Sequence, residues 1–190
     1  MTGIILSGGK NSRMGTNKAF LEIGGERLID RTTRIFKDIF KEIILVTNSP
    51  LDYLDHDGVI VADIIKGKGA LGGIYTGLFF ASHDHAFVSA CDMPFLNKAF
   101  IEYMVRHTES YDIVVPKRAD GLQPLHAIYS KQCLPAIKRV INQDKLKVTG
   151  FYKGLKTLEI TEDVMKSFDP AVKMFINVNT RGDLEQISSL

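Results

Sequence analysis

Cysteine, net charge and long apolar runs are all scarce in this 190-residue chain, and each scarcity removes a class of protein. The two cysteines, Cys91 and Cys133, stand far apart and form no pair with metal-ligand spacing, so free thiols in a cytoplasmic protein are expected. A formal net charge of +2 is too small to suggest a nucleic-acid surface. The longest apolar candidate, around Leu78-Phe79-Phe80-Ala81, falls far short of the ~20 residues of a membrane helix, so no membrane contact is expected. The N-terminus lacks a charged-then-apolar leader pattern, because polar loop residues begin at Ser7. No persuasive Ser-His-Asp set or carboxylate pair is present. No repeat, low-complexity tract or linker divides the chain.

What is present is ordinary in amount and regular in pattern. Hydrophobic residues at 45% and charged residues at 24% place the chain among globular proteins. Its length suits one domain, or one with a small subdomain, able to bury roughly 70% of its unfolded surface. Apolar runs at Ile4–Leu6, Ile43–Val46, Val59–Ala62, Ala86–Ala90 and Asp112–Pro116 predict strands covered on both faces. Between them, Arg27–Phe40 places Leu28, Thr32, Ile35, Phe36 and Ile39 on one helical face, and helices are also expected through Ser82 and over Lys98–His107. Strand–helix alternation implies an α/β fold with a mainly parallel sheet and helices on both sides. Further along, a strand over Leu122–Tyr129 is interrupted by Pro124, which places it at an edge, a bend or a cleft. A helix over Gln132–Asn142, strands at Lys156–Ile160 and Phe175–Val178, and a final helix opening at Asn179–Leu184 with Thr180 as cap complete the expectation.

The first strand runs directly into Ser7-Gly8-Gly9, followed by Lys10, Arg13 and Lys18. Little side-chain bulk and three spaced cations suit a backbone cradle for an anion, and a phosphate chain is the expected one. Polar residues also close the later strands: Asn48, Asp63 and Asp92. In open α/β sheets, ligands lie in the crevice beyond the strand carboxyl ends, so four such positions indicate one site. Asp92, followed by Met93-Pro94, either holds a metal beside a polyphosphate or caps the next helix; a single carboxylate is enough for Mg²⁺, which keeps phosphate and water ligands. Asp63 fits two roles, capping Ile64-Ile65 or bonding a base or sugar. His126 either lines the cleft or is a buried, satisfied histidine. His83 and His85 fit a solvated helix end, and Cys91 a small strand residue.

Leu6-Ser7-Gly8-Gly9, Ser12-Arg13-Met14-Gly15 and Lys18 together resemble the LxGGxSxRMGxxK signature of the MobA-like nucleotidyltransferases. Leu71-Gly72-Gly73-Ile74 with Gly77-Leu78, Cys91-Asp92-Met93-Pro94, Gln123-Pro124-Leu125 and Phe175-Ile176-Asn177-Val178-Asn179-Thr180 resemble further motifs of that family, in the same order. The resemblance implies a three-layer, Rossmann-like (GT-A-like) α/β fold in one domain over 1–190. About 1–95 would bind nucleotide and about 96–190 the acceptor. It implies transfer of GMP from GTP to molybdopterin cofactor with release of pyrophosphate, and molybdoenzymes or their chaperones as further partners. Leu6, Ser7, Gly8 and Gly9 would hold the nucleotide through main chain, Lys18 its phosphates, and Arg13 the leaving pyrophosphate. Asn48 and Asp63 would contact guanine or ribose, and Asp92 would bind Mg²⁺. Gln123, Lys147, Lys153, Asn177 and Asn179 would face the acceptor, with solvated surface lysines as the alternative for Lys147 and Lys153. Two departures stand out. Arg181 replaces a family proline, and Lys66-Gly67-Lys68-Gly69 is more basic than usual.

The implied chemistry is in-line attack of the acceptor phosphate on the α-phosphorus. An anionic attacking phosphate needs no strong base, so catalysis reduces to positioning and charge neutralisation. Two alternatives stay open: a CTP-dependent cytidylyltransferase making the cytosine dinucleotide or an activated sugar or alcohol phosphate, related members of which share the first motif, and a non-catalytic molybdopterin carrier.

Overall fold

The computed structural model describes residues 1–8, 17–178 and 182–183. Along the chain run β1 (Thr2–Leu6), a hairpin of β2 (Glu22–Ile23) and β3 (Glu26–Arg27), α1 (Leu28–Lys37), β4 (Glu42–Val46), β5 (Val59–Val61) and α2 (Gly69–Phe80). There follow β6 (His85–Ala90), α3 (Lys98–Arg106), β7 (Ile113–Arg118), β8 (Gly121–Leu122), β9 (His126–Ser130), α4 (Leu134–Asn142), β10 (Thr157–Ile160) and α5 (Glu162–Phe168). The main sheet has the order β10-β7-β9-β6-β1-β4-β5, with β8 paired to β7. Strands β6, β1, β4 and β5 are mutually parallel, as are β10 and β7, while β9 runs antiparallel between the two groups. The architecture is thus the expected α/β one with a mostly parallel sheet.

Alternation along β1 builds the three layers. Ile4 and Leu6 face α2 and α4, joining Leu71, Ile74, Leu78 and Ile137 in one core. Ile5 faces the other side, with Phe36 of α1, Phe100 of α3 and Met165 of α5. Burial of each such side chain is worth roughly 1.5–3 kcal/mol, so a one-residue register slip in β1 would be strongly opposed. Glycines set how closely α2 can lie on β1. A Cβ at Gly77 would sit 2.6 Å from Ile4 Cγ2, and one at Gly73 3.0 Å from Leu6 Cδ2. No helix among the described residues is long and apolar enough to cross a membrane.

Three elements differ from expectation. The strand predicted over Leu122–Tyr129 splits into β8 and β9, with Pro124 in the intervening turn, where Gln123 N–H donates to the Pro116 carbonyl at 2.9 Å. Phe175–Val178 is not a strand. Lys173–Phe175 forms a 3-10 turn, Ile176 after it is extended, and 176–178 join no strand among the described residues. Helix α1 stops at Lys37, short of Phe40. The β2–β3 hairpin and α5 were not anticipated, although Gly24 and Gly25 (φ 62° and 79°) supply the positive φ that a tight hairpin turn requires. Of the expected final helix only Gly182 and Asp183 are described, and both are helical.

Candidate active site

Because β1, β4, β5 and β6 are parallel and in register, their carboxyl ends form one rim. Leu6 pairs with Val46 and with Ala90, and Val46 with Val61. The ladder continues one step past the strands: Ser7 N–H donates to Val46 O (2.9 Å), Thr47 N–H to Val61 O (2.9 Å), and Cys91 N–H to Leu6 O (3.1 Å). Ser7, Asn48, Asp63 and Asp92 therefore emerge side by side. Gly9, Arg13 and Asn179, with Lys10 and Thr180, lie outside the described residues.

Asn48 and Asp63 meet directly. The Asn48 amide donates to Asp63 Oδ2 at 2.8 Å, while Asp63 Oδ1 is buried beside Gly73 without a hydrogen-bond partner among the described residues. Asp63 does not cap the following segment by its side chain; the Ile64 N–H goes to Thr76 Oγ1 instead, at 3.0 Å. On the other side of β1, Asp92 is half-buried. Burial raises its carboxyl above the ordinary aspartate value, opposed by the Lys18 ammonium. A carboxylate partly stripped of water, next to a cation, gains from a further cation as the negative charge of a polyphosphate arrives. Among the described residues no group of three or more His, Cys, Asp or Glu is arranged to hold a metal ion. Asn97, not Asp92, caps α3, its Oδ1 accepting the Phe100 N–H at 3.0 Å. Cys91 is buried, and burial pushes its thiol up to about 12, so it is no nucleophile at neutral pH.

The late segment crosses the rim at Asp92. Val178 N–H donates to the Asp92 carbonyl at 2.8 Å, bringing Asn177 to the edge of a cavity of about 170 Å³. Met93, Gln123, Pro124, Leu125 and His126 line the rest of it. Gln123 Nε2 donates to Asp120 Oδ1 at 3.2 Å. Lys147 and Lys153 stand exposed on either side of the 3-10 turn Val148–Phe151. That turn is tied to the cavity rim, because Tyr152 Oη hydrogen-bonds Tyr129 Oη at 2.7 Å and Tyr129 donates to the Pro124 carbonyl at 2.7 Å. Lys68, in the basic segment before α2, is paired with Asp144 at 2.9 Å. A larger, open cleft of about 350 Å³ beside α1 contains none of the expected residues.

Two features escaped the sequence. Tyr53 is buried, and its hydroxyl bonds both Ser7 Oγ and Asn17 Nδ2; nothing in the Leu51–Asp57 loop announces this. His126 is buried but not satisfied. Its ring is wedged among Phe87, Phe100 and Phe175, at centroid distances of 5.0, 5.8 and 5.0 Å, and neither nitrogen has a partner among the described residues. Burial lowers its pKa to about 3, so the imidazole is neutral at physiological pH. His83 and His85 are partnered away from the rim, by Thr2 Oγ1 and the Tyr111 carbonyl.

Comparison with known proteins places this geometry. Residues 3–157 match the model of the MobA-like NTP transferase domain. A molybdenum cofactor guanylyltransferase of Desulfosudis oleivorans is 39% identical over 188 residues, covering 98% of this chain and 93% of that protein. Another, from Syntrophotalea carbinolica, is 35% identical over 187 residues, covering 97% and 89%. Among solved structures, the molybdopterin-guanine dinucleotide biosynthesis protein A of Archaeoglobus fulgidus superposes with a TM-score of 0.85 at 25% identity, covering 100% of this chain and 97% of that one. A Mycobacterium tuberculosis protein solved as a manganese complex shares the fold at 13% identity, with a TM-score of 0.68 and coverage of 99% and 97%.

Proposed function

Because the chain belongs to the MobA-like NTP transferase family, we propose that it transfers GMP from GTP to molybdopterin cofactor, forming the guanine dinucleotide and releasing pyrophosphate. The chain is a nucleotidyltransferase. One observation carries the assignment of the two substrates: the Val178–Asp92 hydrogen bond seats the Asn177 segment against the carboxylate loop, so a nucleotide over β1 and an acceptor at the 170 Å³ cavity would meet at Asp92.

In this proposal the half over about 1–95 binds nucleotide and the half over about 96–190 binds the acceptor. The main chain at Leu6, Ser7, Gly8 and Gly9 holds the phosphates, with Lys18 and Arg13 balancing charge on the departing pyrophosphate. Asn48 and Asp63 take the base or its ribose. Guanine presents two adjacent donors, N1–H and the 2-amino group, whereas cytosine presents one amino group followed by two acceptors; an acceptor at Asp63 Oδ2, the oxygen that Asn48 also bonds, favours guanine over the CTP alternative. Gln123, Asn177 and Asn179 orient the acceptor, and Lys147 and Lys153 receive its anionic groups. Asp92 would hold Mg²⁺, which would supply neutralisation of phosphate oxygens. No residue need act as a strong base, since the attacking phosphate is already ionised. The protein would work in the cytoplasm and pass its product to molybdoenzymes or their chaperones.

The test has two arms. With Mg²⁺, GTP should raise the melting temperature and CTP should not; stabilisation by CTP alone would overturn the guanylyl assignment. Adding molybdopterin cofactor should then release pyrophosphate, and absence of release with both substrates bound would leave a carrier instead of a transferase.

A further inference from the structure

The phenol of Tyr53 touches both stems of the loop that follows β1. Its hydroxyl shares a hydrogen bond with Ser7 Oγ at the entrance and accepts one from Asn17 Nδ2 at the exit, the latter at 2.7 Å. Both stems are anchored further. Ser7 N–H extends the β1–β4 ladder, and Asn17 Oδ1 accepts the Ala19 N–H at 3.2 Å, capping the turn Lys18–Phe20 that carries Lys18. Tyr53 itself is 1% exposed, with the Phe20 ring 5.0 Å from its own. It belongs to the turn Pro50–Tyr53, which Ser49 separates from Asn48.

We propose that Tyr53 is a positioning residue for the triphosphate: one buried hydroxyl fixes the spacing between the Ser7–Gly8 main chain and Lys18, acting through Ser7 and Asn17. The inference rests on the nucleotide assignment above and goes beyond it by naming what sets the distance between those two groups. The physical reason is preorganisation. Holding Ser7 and Lys18 at a fixed separation before the anion arrives spares the ordering cost that binding would otherwise carry. The hydroxyl suits the task because a phenol both donates and accepts, so it can serve a hydroxyl and an amide at once in a buried place.

Tyr53→Phe keeps the ring, its packing on Phe20 and the fold while deleting the oxygen. The expected result is a KM for GTP raised about tenfold, the scale of losing one such bond with a partner left unpaired, with kcat at saturating GTP and the KM for molybdopterin cofactor unchanged. The dissociation constant for inorganic triphosphate with Mg²⁺ should rise by the same factor. Asn17→Ala, which leaves Tyr53 in place, should reproduce the loss and supplies the test if the first variant does not fold. The double variant should be little weaker than either single one, because the two residues act as a unit. A lowered melting temperature with unchanged KM and triphosphate affinity would make Tyr53 purely structural and overturn the proposal, as would losses that simply multiply in the double variant. Failure of the wild-type protein to bind either GTP or triphosphate would instead sink the nucleotide assignment itself.

Discussion

His126→Phe should make this protein more stable, and increasingly so as the pH falls. The native imidazole sits among three phenyl rings with both nitrogens unpartnered among the described residues, so phenylalanine preserves the shape and removes two desolvated polar atoms. Relieving that desolvation is worth about 1–2 kcal/mol at pH 8, less any strain from the slightly larger ring. Acidification adds a second term. Burial lowers the folded-state pKa from 6.5 to about 3, so below pH 6.5 the unfolded chain binds a proton that the folded one refuses. Stability is therefore lost as pH falls through that window, with a slope of up to about 1.4 kcal/mol per pH unit. Across the ~3.5 units the wild type would lose roughly 5 kcal/mol through this one group, a large share of a typical 5–15 kcal/mol total. Urea unfolding of wild type and variant at pH 8, 6, 5 and 4 reads the difference directly. A gap that stays constant with pH would show that the ring finds a partner for its proton, and a less stable variant at pH 8 would show the nitrogens to be satisfied.

Three further outcomes follow from the same geometry. Asp92→Asn removes a carboxylate that burial already disfavours, so turnover in the pyrophosphate-release assay should fall by on the order of 10²–10³ while the melting temperature holds or rises; full activity would remove Asp92 from its role. At the opposite end of β1, burial raises the Glu42 carboxyl, but hydrogen bonds from Thr2 and Ser82 outweigh it and bring the pKa from 4.5 to about 2. Being depressed, this pKa gives stability that is present above about pH 4.5 and lost as pH falls toward 2, about 2 kcal/mol after allowing for screening of its exposed fifth; Glu42→Gln should flatten that limb of a pH series. Gly77→Ala gains about 1 kcal/mol of helix propensity but sets a Cβ 2.6 Å from Ile4 Cγ2, where overpacking of about 1–3 kcal/mol prevails; a lower urea midpoint at unchanged slope is expected.

Much of the site was legible because its signals are local. A buried strand followed by small residues, and a polar residue at the end of each parallel strand, are contiguous patterns, and the register of β6, β1, β4 and β5 converts them into one rim. The basic stretch at Lys66–Lys68 was less transparent: Lys68 is engaged by Asp144, a partner 76 residues away that no local pattern points to. The failed strand at Phe175–Val178 has the same origin. Its β-forming composition was real, but a strand also needs an edge to pair with, and the chain there crosses the rim at Asp92 instead.

The sequence alone thus determined the α/β alternation and the strand-end placement of Ser7, Asn48, Asp63 and Asp92. These rest on side-chain periodicity and backbone freedom, which neighbours in the chain decide. Tertiary structure alone decided that Tyr53 bridges Ser7 and Asn17, that Val178 docks on Asp92, and that His126 is buried without a partner among the described residues. Each of those depends on which distant side chains share a buried place, a matter settled only when the two faces of the sheet are covered.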